Sequence, residues 1–275
     1  MQTNFQAKWH NVRERQGSNI IAGVDPAVFA IGHGEGGLEK GGDLFDWAQA
    51  FIEATAPYVA GFKFNQAFFQ GADQRTLLQG LVKAVQDLEL LTISDNKFAD
   101  IGNTNDAWIH YNRSLGFDAV TFAPYAGNVE AGIQSGHEQD IGICTLGLMS
   151  NPEYQSEMYF TDPESGESLW HARIRRALEA GADCTVVGGT YTSESAELAQ
   201  LVALTKDSEL LYLVPGIGAQ GGTVESFLAS GIPPEKCLIS SSRGLMFPHG
   251  SESTPEAQAA AAKTLRDSFN MVAYA

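Results

Sequence analysis

The chain has 275 residues, 44% of them hydrophobic and 10% aromatic, a length that suits one α/β barrel of about 250 residues and does not require a second domain. The 17 Lys and Arg against 33 Asp and Glu leave a net charge of −16, which argues against nucleic-acid binding and means that an anionic substrate must be met by locally placed cations and backbone donors. No apolar run approaches the roughly 20 residues that span a bilayer, and the N-terminus lacks the basic-then-apolar pattern of a signal peptide, so a cytoplasmic protein without membrane contact is expected.

Taken in chain order, apolar runs of strand length fall at 20–25, 58–64, 89–95, 118–122, 141–146, 183–188, 211–214 and 236–241. Helical segments fall at 43–56, 73–87, 104–114, 127–134, 168–180, 193–206, 223–229 and 255–270, several of them opened by Ser, Thr or Asp in capping positions. Strand followed by helix, eight times over, predicts parallel βα units closed into a (β/α)8 TIM barrel, an α/β fold in one domain over 1–275 with a short N-terminal extension. Segment 32–43 is rich in Gly and charge, and 150–167 is long, polar and without clear periodicity. Both read as loop insertions, and each follows a strand, which puts it on the C-terminal rim where barrels keep their chemistry. Cys144, Cys184 and Cys237 lie singly within apolar runs and read as buried free thiols. The six histidines show no metal-binding pair at helical spacing and read as surface or capping residues, so no metal is expected.

Several strand ends carry residues that could do chemistry. Val24-Asp25-Pro26 ends the first strand with a carboxylate of a type that often caps a turn. At the end of the second, alternation turns Phe62 and Phe64 to one face and Lys63 to the other; alone, Lys63 reads as a lysine snorkelling from a strand end. At the third, Asp95 and Lys97 share a face and Asp100 sits in the following loop. An ammonium held among carboxylates keeps its charge and can donate a proton, although a solvated charged loop has the same composition. Residues 121–127 read as rim packing rather than chemistry, and Met149-Ser150-Asn151-Pro152 as an Asn-Pro turn with a polar neighbour. Pro215 to Gly222 holds four glycines in eight residues after the seventh strand, and Ser240-Ser241-Ser242-Arg243-Gly244 closes the eighth. Such glycines suit a flexible turn, but together with Arg243 they suit phosphate, which barrels bind in this region through backbone N–H groups and a bidentate Arg.

The string from Ser94 to Thr104 resembles the signature of the orotidine 5'-monophosphate decarboxylase family, Asp-x-Lys-x-x-Asp-Ile followed by Thr, with Asp95, Lys97, Asp100, Ile101 and Thr104 at the matching positions. The run Lys-Phe-Ala-Asp-Ile-Gly-Asn-Thr makes the resemblance specific, and further matches continue in family order from about residue 20 to residue 247. The resemblance implies conversion of orotidine 5'-monophosphate to UMP and CO2 without metal or organic cofactor. It implies a catalytic network of Lys63, Asp95, Lys97 and Asp100, in which Lys97 protonates C6 of the pyrimidine. Asp25, in Gly-Val-Asp-Pro, would bind a ribose hydroxyl, Ser150 the pyrimidine, Gln220 would bridge pyrimidine and phosphate, and Gly221, Gly222 and Arg243 would hold the phosphate. Asp100, Ile101 and Thr104 would reach into a neighbouring subunit's site, which implies a homodimer with shared active sites. One departure from some family members is the short loop between Pro215 and Gly222, which has no Tyr. Two other functions fit the same pattern: a sugar-phosphate decarboxylase or synthase of the same barrel superfamily, which would need Mg²⁺, and a non-catalytic nucleotide-binding barrel.

Overall fold

The computed structural model describes residues 4–25, 44–69, 73–217, 221–250 and 253–274. Eight parallel strands close on one another in sequence order: β1 (Ile20–Val24), β2 (Gly61–Asn65), β3 (Leu91–Phe98), β4 (Ala119–Phe122), β5 (Gly142–Leu148), β6 (Cys184–Val187), β7 (Leu211–Pro215) and β8 (Cys237–Ser241), with β8 pairing back onto β1. A parallel strand buried on both faces needs apolar residues throughout rather than at alternate positions, which is why β1, β4, β5 and β6 are short continuous hydrophobic runs with every residue buried. All three cysteines lie in this wall as buried free thiols.

Around the barrel run α2 (Leu44–Thr55), α3 (Gln74–Asp87), α4 (Gly102–Leu115), α5 (Val129–Glu138), α7 (Leu169–Glu179), α8 (Ala196–Thr205), α9 (Val224–Leu228) and α11 (Pro255–Ala273), with α1 (Asn4–Gln16), α6 (Pro152–Met158) and α10 (Arg243–Met246) as additional helices. The layer between strands and helices is aromatic. Phe62 turns outward to meet Phe51 of α2 edge-on at 6.2 Å, and Phe64 meets Phe117 at 6.0 Å, so the alternation that sends Lys63 into the barrel sends its neighbours into the helix layer. Thr254 and Thr223 cap α11 and α9 with their side-chain oxygens, while α4 stops at Gly116, whose φ of 98° is the left-handed conformation that glycine adopts most easily.

The N-terminal extension proves to be a helix. α1 lies across the end of the barrel where strands begin: Gln6 donates to the carbonyls of Asp183 and Glu209, Trp9 donates to the carbonyl of Glu235, and Lys8 pairs with Asp118 at 2.7 Å. The stretch 150–167 is likewise more ordered than its polar composition suggests, because Pro152 opens α6 and Thr161 bridges to Ser168. Among the described residues no helix is long and apolar enough to cross a membrane. The early insertion at 32–43 lies outside the described residues.

Candidate active site

The opposite end of the barrel, where strands finish, opens into a cavity of about 300 Å³ lined by Asp25, Lys63, Asp95, Lys97, Thr121, Met149, Pro215, Gly216 and the Ser240–Arg243 run, among others. Its residues come from almost every strand, each placed by the last turn of the ladder before the chain leaves for a helix.

Asp95 is the hub. Its Oδ2 accepts from Lys63 Nζ at 2.6 Å and its Oδ1 accepts from Lys97 Nζ, so one carboxylate joins two ammonium groups. Lys63 and Asp95 are both buried, whereas Lys97 is more open. Burial alone would push the Asp95 carboxyl up, but the two lysine charges and their hydrogen bonds outweigh it, holding Asp95 well below the usual carboxylate range. Burial likewise opposes the charge of Lys63, but Asp25 and Asp95 together raise it above the ordinary lysine value. Both groups are therefore charged at neutral pH, the state in which a buried pair is stabilised by its partner.

Regular alternation does not by itself deliver this geometry. β3 runs to Phe98, but its pairing with β4 shifts register between Ser94 and Phe98, and Lys97 has φ +49°, a left-handed conformation that costs a non-glycine residue about 1–3 kcal/mol. Thr121 stabilises the distortion: its hydroxyl accepts from the Lys97 N–H at 3.0 Å and donates to Asp95 Oδ1 at 3.3 Å. Thr121 therefore belongs to the site, contrary to the packing role its segment suggests. A polar residue inside the apolar run Ala-Val-Thr-Phe, buried in the wall, was the available signal.

Asp25 accepts from Ser242 Oγ at 2.6 Å through Oδ2, while its buried Oδ1 receives no hydrogen bond from a described residue. Ser242 can come this close because Gly23 leaves room; a Cβ there would sit 1.9 Å from Ser242 Oγ. In the sequence Ser242 belongs to the run that closes the eighth strand beside Arg243, and its bond to Asp25 is visible only in the fold. Arg243 is exposed at the cavity edge, opens α10, and forms no ion pair with a described residue.

The remaining candidates fall elsewhere. Ser150 packs its Cβ against Gly188 and does not line the cavity, although Met149 beside it does. Gly221 and Gly222 stand back from the cavity, with Gly222 so close to the Gly189 carbonyl that a Cβ would lie 2.0 Å from its oxygen. Gln220 lies outside the described residues. Asp100, Ile101 and Thr104 are exposed on the outer surface of the rim and contribute nothing to the cavity of their own barrel. Among the described residues no group of three or more His, Cys, Asp or Glu is placed to hold a metal ion, and both oxygens of Asp95 are already taken by ammonium groups.

A sequence profile of the orotidine 5'-phosphate decarboxylase / HUMPS family matches residues 18–227. Curated orotidine 5'-phosphate decarboxylases from Dehalococcoides mccartyi and Bordetella avium are 31% and 30% identical to this chain, over 97% and 98% of its length and 97% and 99% of theirs. Among solved structures, Leishmania donovani OMP decarboxylase superimposes with a TM-score of 0.78 at 25% identity, covering 98% of this chain and 99% of that one. The Leishmania donovani UMP synthase superimposes with a TM-score of 0.80 at 27% identity, covering all of this chain and 57% of that one.

Proposed function

The chain belongs to the orotidine 5'-phosphate decarboxylase / HUMPS family, and from that premise we propose that it converts orotidine 5'-monophosphate to UMP and CO2 by direct, cofactor-free decarboxylation in which Lys97 protonates C6. The observation that carries this reading is the clasp of Asp95 between Lys63 and Lys97 inside a cavity whose far edge carries Arg243.

Loss of CO2 from C6 leaves the bonding electron pair in the plane of the ring, where no carbonyl can delocalise it. Stabilisation must then be electrostatic. The Lys97 ammonium is the one flexible, partly open cation of the clasp; it favours the developing carbanion and then gives its proton to C6, completing the UMP ring. Asp95 stays ionised, so a substrate carboxylate placed beside it is repelled and its departure relieves that repulsion. Lys63 holds Asp95 in place from the buried side. The Oδ1 of Asp25, unpartnered among the described residues, suits a ribose hydroxyl. Arg243, with the backbone of Gly216 (φ +98°) and Ile217 on the cavity wall, suits the phosphate. In a chain of net charge −16, these local cations are what makes an anionic nucleotide welcome.

The exposed position of Asp100, Ile101 and Thr104 supports a shared site in which each subunit of a homodimer lends these residues to the other. A direct assay tests the reading: purified protein plus orotidine 5'-monophosphate with EDTA present should consume the orotate absorbance. No consumption under those conditions, with turnover of a sugar phosphate once Mg²⁺ is added, would replace this function by that of the metal-dependent relatives.

A further inference from the structure

Asp100 sits at the surface with its backbone clamped from both sides. Asn105, on α4 and buried despite its polarity, accepts from the Asp100 N–H at 3.1 Å through Oδ1 and donates from Nδ2 to the Asp100 carbonyl. One side-chain amide thus satisfies both backbone groups of a single residue, as an antiparallel neighbour strand would. Asn128, at the start of α5, donates to the same carbonyl at 2.9 Å. Within the loop, Asp100 Oδ1 accepts from the Ile101 N–H at 2.8 Å, which sets the direction of the carboxylate. The carboxylate itself takes part in none of the ion pairs among the described residues.

Helix capping does not explain Asn105. The residue preceding α4, Ile101, supplies no side-chain cap, and Asn105 sends its amide back to Asp100 rather than to the free N–H groups of the helix. Two asparagines, one on α4 and one just before α5, converge instead on the backbone of the one residue that carries this surface carboxylate.

We propose that Asn105, assisted by Asn128, is a positioning residue that presents Asp100 to the active site of a second copy of the chain. The proposal rests on the reading above that Asp100 completes the partner's site. A carboxylate that must meet a lysine on another molecule has no barrel wall of its own to orient it, so the loop must be fixed from within, and a displacement of about 1 Å at a reacting centre costs on the order of 100-fold in rate. The amide clamp supplies that fixation.

Asn105→Leu keeps the volume and removes the clamp. It should lower kcat by about 10- to 100-fold while KM changes by less than about threefold, because the phosphate contacts lie elsewhere. Complementation then separates positioning from a role in the residue's own barrel. In hybrids of Asn105→Leu with Lys97→Ala, the barrel with intact Lys97 receives Asp100 from a chain with intact Asn105, so one site per dimer should regain parental kcat. Hybrids that stay as slow as the Asn105→Leu homodimer, while Asp100→Ala with Lys97→Ala hybrids recover, would overturn the proposal and leave the shared site standing. Failure of both pairs after isolation of tagged hybrids would overturn the shared site and the proposal with it. Should Asn105→Leu not fold, Asn128→Ala removes one bond from the surface side and should cost about two- to fivefold in kcat, recovered in the same hybrids. Unchanged kcat in a folded Asn105→Leu, or in Asn128→Ala when that is the variant used, also overturns it.

Discussion

A lysine that must act as a proton donor has to be charged, near its target and free to move, and the three requirements pull against burial. The site divides them between two residues: Lys63 is buried and immobilised against Asp95, while Lys97 reaches the other oxygen from a more open position. If Lys97 is the proton donor proposed, Lys97→Ala should lower kcat by at least about 10²–10⁴-fold while leaving UMP affinity within a few fold, since the residues proposed to hold the phosphate are untouched. Steady-state kinetics and calorimetric titration with UMP check this, and near-parental turnover would remove Lys97 from its role. Arg243 is tested by a double difference. Arg243→Ala should cost roughly 2–5 kcal/mol in kcat/KM on orotidine 5'-monophosphate, about 30- to several-thousand-fold, and little on orotidine, which offers no phosphate to lose. Equal losses on both substrates would mean that Arg243 supports the loop generally. The sequence shows the charges at Asp95, Lys97 and Asp100 and a glycine-rich turn one strand before Arg243, but a solvated loop has the same composition, and it is the family resemblance that implies their roles. The roles of Thr121, Ser242 and Asn105 were not legible, because an uncharged polar residue acquires its meaning only from the group that the fold brings to it.

Strand and helix positions were visible because a parallel strand in a barrel wall must be apolar on both faces, so β1, β5 and β8 stand out as runs against polar surroundings. α1 is hard to see in the sequence because Lys8, Arg13, Glu14 and Arg15 dilute it, although Phe5, Trp9 and Val12 recur at helical spacing and are all buried. α6 hid behind an Asn-Pro pair that also marks a turn, yet Pro at the first helical position and Tyr154 and Met158 four apart are equally a helix start. That helix matters to the site: the Tyr154 hydroxyl donates to the Gly147 carbonyl at 2.6 Å, tying α6 to the end of β5. α1 acts at the other end, where Phe5 packs onto Gly142 so tightly that a Cβ there would lie 2.7 Å from its ring. The helix therefore closes the barrel floor. Trp9→Ala should destabilise the fold by about 3–5 kcal/mol, because it leaves a cavity and an unpaired Glu235 carbonyl beneath the strands, while kcat of the folded fraction stays near parental. Urea unfolding followed alongside activity decides it: a shift below about 1 kcal/mol would show that α1 is an appendage.

Two histidines with pKa shifts of opposite sign, at the end of the barrel where strands begin, should make stability depend on pH. His137 on α5 bonds Asp183, which is fully buried where β6 begins and also accepts from the Ile143 N–H at 2.8 Å. That hydrogen bond, opposed by partial burial and helped by the carboxylate charge, raises the His137 pKa above its ordinary value of 6.5. Between 6.5 and the raised value the native state holds a proton that the unfolded chain has released, so this contribution is complete below pH 6.5 and is lost as pH rises through the folded pKa. His10 on α1 behaves in the reverse sense. Partial burial, then the nearby Arg13 charge, lower its pKa, so its contribution is present above pH 6.5 and declines as pH falls through the lowered value. The two windows do not overlap, so the contribution of these two groups declines on both sides of pH 6.5, with Asp95 and the other depressed carboxylates eroding stability further only in stronger acid. Urea midpoints measured from pH 5 to 9 should fall on the alkaline side in the parent and fall less steeply in His137→Gln, and the acid-side decline should soften in His10→Gln. If the alkaline slope is the same with and without His137, the Asp183 pair is not the link between α5 and β6 that carries this pH dependence.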